Sequence, residues 1–219
     1  MKAFVITITD LDESVKCANR LIESADTKSN LPVEIFSAIT PKDEPAEILT
    51  RKRIRLDGFK DDIGSRPQNV MAAFCSHYSL WEKCAAGNED FVIFEHDAVV
   101  VDTIPKYMAH TGCVSLGAPS YGKWNTPTVL GVGPLKSKRY FPGAHAYRLS
   151  PTAARDLCEM AVLNATATDV FINLQNFPWL QEYFPWPVIC KDNFTTIQNP
   201  TGCVAKHNWG GGYNIVKVE

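Results

Sequence analysis

The sequence predicts an α/β fold, a single domain with a mainly parallel central sheet flanked by helices. Three observations predict it. The chain opens strand, helix, strand, with residues 3–9 and 31–39 as the strands, which is the βαβ signature of a parallel sheet. Phe91-Val92-Ile93-Phe94 is an apolar run without polar alternation, as a strand covered on both faces requires. Strand-like and helix-like stretches keep alternating to residue 190, with no internal repeat and no low-complexity segment.

Each element has its own signal. The first helix starts at Asp12, a plausible N-cap, and carries Val15, Ala18, Ile22 and Ala25 on one face. Residues 40–66 dissolve into charges, two prolines and two glycines, which suggests a loop with one short helix. The clearest helix follows. Ser65 is placed to cap it, Pro67 suits its first turn, and Gly87 ends it. Val70, Phe74, His77, Trp81 and Cys84 recur along it at helical spacing, which makes His77 a core-facing, structural histidine.

After Asp102 the pattern gives a short helix at 106–109 and a strand at 113–116. Residues 117–142, rich in Gly, Pro and aromatics, either wrap a sheet edge or line a cleft. A strand returns at 144–149, and Ser150-Pro151 starts a helix with a cap and a first-turn proline. Thr168 is placed to cap a further helix beginning at Asp169, and residues 187–190 read as a last strand.

Composition narrows the class. The 219 residues are 45% hydrophobic and 21% charged, enough apolar material for one substantial core. A formal net charge of −2 argues against a nucleic-acid-binding surface. The one dense basic run, Arg51 to Arg55, is either a solvated face or a neighbour of an anionic substrate. Seven widely spaced cysteines without a CxxC pair point to reduced thiols. The N-terminus is too polar beyond Ile8 for a signal peptide, and no stretch approaches the ~20 apolar residues of a membrane span. A cytoplasmic location is expected.

Chemistry concentrates after the apolar run, at Glu95-His96-Asp97. In extended backbone, positions i and i+2 face the same side, so the two carboxylates would converge beyond a strand's carboxyl end, where open α/β sheets bind ligands. Two converging carboxylates suit a hard divalent cation, which in turn neutralises a bound phosphate. The alternative is an acidic pair that caps the next turn and faces water.

Four segments in order resemble glycosyltransferase family 25, the lipopolysaccharide-type galactosyl- and glucosyltransferases: Cys75-Ser-His-Tyr-Ser-Leu-Trp81, Phe94-Glu-His-Asp-Ala-Val99, Gly143-Ala-His-Ala-Tyr-Arg-Leu-Ser150 and Ala167-Thr-Asp-Val170. The resemblance runs from the first strand to about residue 197. It implies a GT-A, Rossmann-like fold, a UDP-sugar donor, a manganese (or magnesium) cofactor, a glycan-type acceptor and inversion at the anomeric carbon. It places Thr7, Asp10, Glu95 and Asp97 on the donor side, with Glu95 and Asp97 as metal ligands. The family pattern has Glu-Asp-Asp where this chain has Glu95-His96-Asp97, so the central carboxylate is replaced by an imidazole that can itself ligate manganese.

Asp169, at a helix start, matches the acidic position expected of the catalytic base; the alternative is simple charge pairing with the helix terminus. His207, in a glycine-rich stretch, is either a third metal ligand or an exposed loop histidine. His145 and Tyr147 either line the acceptor side or pack as ordinary strand residues.

Overall fold

A computed structural model describes residues 1–59, 66–191, 194–197 and 214–215. Its centre is a seven-stranded sheet built from β1 (Lys2–Thr7), β2 (Glu34–Ser37), β3 (Phe91–Glu95), β5 (Cys113–Ser115), β6 (Gly131–Pro134), β7 (Ala146–Leu149) and β8 (Gln181–Phe184), in the order β2-β1-β3-β7-β5-β8-β6. Pairing is parallel for β1 with β2 and β3 and for β5 with β8. It is antiparallel around β7 and at β6, so five of the seven strands run one way. The mainly parallel α/β architecture is the one expected. Two short strands, β4 (Ala98–Val100) and β9 (Val188–Cys190), pair beside the sheet. Phe194–Thr195 and Asn214–Ile215 form a further parallel pair, β10 and β11.

The apolar run behaves as its composition demands. Phe91 and Ile93 pack on one face of the sheet with Phe4, Ile6, Tyr147 and Leu149, beneath α3 (Pro67–Ala85) and α4 (Pro151–Asn164). Val92 and Phe94 pack on the other with Ala3, Val5 and Ala146, beneath α1 (Asp12–Ser29). By the same alternation Glu95 projects towards α3.

Several local expectations change. Leu11 is the N-cap of α1, and Ser14, whose hydroxyl takes the Ile8 N–H, sits on its buried face. Residues 40–51 hold the short helix expected in this stretch, with a capped turn before it. Thr40 and Asp43 close a capping box, and α2 (Pro45–Arg51) follows. The basic run is partly paired with surface acids, Lys52 with Glu82 and Arg55 with Asp57. Arg66 occupies the N-cap position of α3; Ser65 lies outside the described residues.

No helix forms at 106–109. Arg148, itself held by Asp90, takes the carbonyls of Pro105 and Lys106, acceptors that a helix would have used. Ser150 caps α4 as expected, accepting from the Ala153 N–H. Thr168 does not cap α5 (Thr168–Phe171); Ala167 holds that position and the helix is a single turn. The 117–142 stretch does wrap a sheet edge, through β6, where glycine and proline are tolerated. No disulfide joins the six described cysteines, and among the described residues no helix is long and apolar enough to cross a membrane.

Candidate active site

The site lies where β3 ends and β7 begins. These strands are antiparallel, so the carboxyl end of one meets the start of the other, and the Glu95 N–H donates to the His145 carbonyl at 3.0 Å. Glu95 is the last residue of β3; His96 and Asp97 turn the chain into β4. The simple i, i+2 argument therefore fails, because the backbone is not extended at Asp97. The two carboxylates still come within electrostatic reach of each other. Burial, followed by the charges of Asp97 and Asp169, holds the Glu95 carboxyl well above the ordinary carboxylate range.

Glu95 is held from beneath. The Trp81 N–H donates to the Tyr147 hydroxyl at 2.7 Å, Tyr147 meets His77 Nδ1 at 2.8 Å, and His77 Nε2 meets Glu95 Oε1 at 3.1 Å. Donor and acceptor inventory fixes the direction. With Glu95 ionised, as the expected role of metal ligand requires, the carboxylate only accepts, so Nε2–H donates to it and Nδ1 is left as the acceptor. The phenol, which takes the indole N–H on its oxygen, donates to Nδ1. Burial keeps the His77 imidazole neutral by lowering its pKa to about 3. His77 is thus the core histidine expected from periodicity, and it also sets the position of the acidic group.

Asp169 reaches the site from α5. Tyr121 donates to its Oδ2 and the Val170 N–H to its Oδ1, and the backbone of Gly143 adds a further bond. These bonds favour the ionised carboxylate, but burial outweighs them, and the pKa is raised. The sequence argument, that a helix start would keep Asp169 readily ionised, is corrected here: one turn of helix adds little, and desolvation dominates.

His145 is buried between two glycines. A Cβ at Gly117 would overlap Nε2, and one at Gly143 would press on Nδ1 and Ser120; Gly143 also has φ +89°, a conformation that glycine tolerates. Burial lowers the His145 pKa to about 4, against the opposing charge of Asp97. Neither ring nitrogen has a hydrogen-bond partner among the described residues. Tyr147 is fully buried, with its hydroxyl committed to Trp81 and His77, so it packs as a strand residue away from any acceptor surface.

The remaining candidates are dispersed. Thr7 is buried and its hydroxyl turns back to the Val5 carbonyl. Asp10 stands at the surface, where its bond to Lys42 lowers its pKa. His207 lies outside the described residues. His96 is tied into the fold: Nδ1 pairs with Ser14 Oγ at 3.0 Å, and the ring bonds to the backbone of Ile6. Cys190 donates to Asp97 Oδ2 at 3.1 Å. Neither Tyr121 nor Cys190 was foreseeable from spacing, since both meet the acids only through tertiary folding.

A model of glycosyltransferase family 25, described as lipopolysaccharide biosynthesis proteins, matches residues 1–112. That is more than half of the chain. The chain belongs to glycosyltransferase family 25. It is also similar to the lipooligosaccharide biosynthesis protein lic2B of Haemophilus influenzae, 29% identical over 89 residues. That alignment covers 40% of this chain and 32% of lic2B, about a third of the relative's length. Within the family match fall the Ser76-His77…Trp81 helix and the Glu95-His96-Asp97 turn; the 143–150 and 167–170 segments lie beyond it. The family 25 helix motif has a clear physical role here. Ser76 takes the Ile39 N–H, while His77 and Trp81 build the hydrogen-bonded chain under Glu95.

Proposed function

We propose that the chain is a metal-dependent inverting glycosyltransferase that moves a hexose, galactose or glucose, from a UDP-sugar to a hydroxyl of a glycan acceptor in lipopolysaccharide assembly, in the cytoplasm. One observation carries this reading: Asp97 and Asp169 both lie within electrostatic reach of Glu95 at the carboxyl end of the parallel sheet, and burial together with their charges destabilises Glu95 as an anion. A cation relieves that repulsion. No group of three His, Cys, Asp or Glu close enough to hold a metal occurs among the described residues. The donor set nonetheless fits manganese or magnesium, which commonly bind one or two carboxylates and complete their shell with substrate phosphates. Glu95 and Asp97 would hold the cation, which supplies charge neutralisation for the departing diphosphate.

The chain's own residues do the rest. His77 holds Glu95 by its N–H, so the acid cannot swing away from the site. Asp169 accepts the acceptor's proton, and its raised pKa makes it a stronger base than a surface aspartate. Single displacement puts that base away from the leaving diphosphate, and Asp169 arrives from a different element from Glu95 and Asp97.

A thermal-shift screen of UDP-sugars tests the donor class. A ligand that binds only the native state raises the melting temperature with occupancy. UDP-galactose or UDP-glucose with manganese is expected to raise it by several degrees, and each alone by less. Flat melting curves for every UDP-sugar with manganese would overturn the donor assignment.

A further inference from the structure

Residues 117–140 contain four cations, Lys123, Lys136, Lys138 and Arg139, and no acid, in a chain whose formal net charge is −2. The same segment exposes three large apolar side chains: Trp124 at 43%, Val129 at 50% and Leu130 at 75%. Backbone and side-chain bonds fold the segment on itself. The Asn125 N–H donates to the Ser137 carbonyl, the Asn125 amide to that of Lys136, and Lys138 to that of Tyr121. These bonds set Asn125, the neighbour of Trp124, beside Lys136 and Ser137.

The acids facing this segment are otherwise engaged. Glu182 takes the N–H groups of Lys136 and Ser137, and Asp169 takes the Tyr121 hydroxyl. Lys138 lies over the Tyr121 and Tyr140 rings, whereas Lys123, Lys136 and Arg139 are exposed. Among the described residues none of these three is in an ion pair.

We propose that this lobe docks the protein on an anionic lipid surface. The chemistry is specific to that occupant. A tryptophan beside exposed aliphatic residues favours the boundary between headgroups and acyl chains, and lysine and arginine beside them meet anionic headgroups. A soluble polyanion would use the cations and leave Trp124 and Leu130 idle. The lobe joins Asp169 through Tyr121, so docking there would hold the side of the site carrying the proposed base against the surface, a consequence that rests on the functional reading above.

The test is sedimentation of the full chain with phosphatidylglycerol–phosphatidylcholine vesicles, beside pure phosphatidylcholine vesicles and a heparin column. UDP-sugar binding is measured in parallel, so that failure of the donor assignment shows separately. The native chain is expected to sediment with anionic vesicles, less so at high salt. Trp124→Ser with Leu130→Ser, and separately Lys123→Glu with Arg139→Glu, should each weaken this about tenfold with donor binding unchanged. All these positions are exposed, and an unchanged melting temperature confirms folding. Absence of vesicle binding by the native chain overturns the proposal. So does heparin-competed binding that the Trp124/Leu130 variant retains in full, which would mark a polyanion site instead.

Discussion

Asp169→Asn is expected to lower sugar transfer by ~10²–10⁴, the usual effect of losing a general base, while leaving donor affinity nearly unchanged. Asparagine keeps the shape of the side chain and one acceptor oxygen, so the basicity is removed together with one of the two bonds from Tyr121 and the Val170 N–H. The pH profile supplies an independent readout. The native carboxylate must be ionised to act, and its pKa is raised by burial, so kcat/KM should climb with pH through a value above that of an ordinary aspartate. The Asn variant should lose that limb. Transfer close to the native rate would leave Asp169 as a residue that positions Tyr121 and Gly143.

The second large effect concerns the chain of bonds under Glu95. His77→Phe leaves the Tyr147 hydroxyl without its acceptor and Glu95 without its N–H donor. Tyr147→Phe strands the Trp81 N–H and His77 Nδ1. Each buried group left unsatisfied costs about 1–3 kcal/mol. Urea unfolding should show both losses, and the double variant should cost less than their sum by about 0.5–3 kcal/mol. Acid sensitivity follows with a definite sign. His77 is neutral in the fold, with a pKa of about 3, and takes a proton near the ordinary 6.5 once unfolded, so the unfolded state binds more protons. Stability attributable to His77 is therefore present above pH ~6.5 and is lost as the pH falls towards 3. His77→Phe should flatten that part of the curve. Additive losses in the double variant would mean that the two residues do not act as one network.

Much of the architecture was legible because it rests on local pattern. The opening βαβ unit, the doubly buried strand at Phe91 to Phe94 and the Ser150-Pro151 helix start each follow from periodicity, burial or capping, and each appears in the structure. Strand β8 was missed: four residues, Gln181 to Phe184, alternate too weakly to be read apart from their partners β5 and β6.

The site was half legible. Glu95, Asp97 and Asp169 were singled out and do share one electrostatic environment, but the reasons differ from those of the sequence. Asp97 approaches through a turn, and Asp169 is raised in pKa by burial where a helix start suggested the reverse. His77, Trp81, Tyr147 and Glu95 are joined by bonds that span 18 to 70 residues, which no periodicity encodes. Thr7 ends β1 and Asp10 lies just beyond it, yet one is buried and the other is paired with Lys42.

The most direct test of the proposed chemistry is titration calorimetry of UDP-galactose or UDP-glucose onto the native chain and Asp97→Ala, each with manganese and with chelator. Metal held between the acidic turn and the diphosphate predicts tighter donor binding with manganese for the native chain, and no such gain once Asp97 is removed. Equal affinity with manganese and with chelator in the native chain would contradict it.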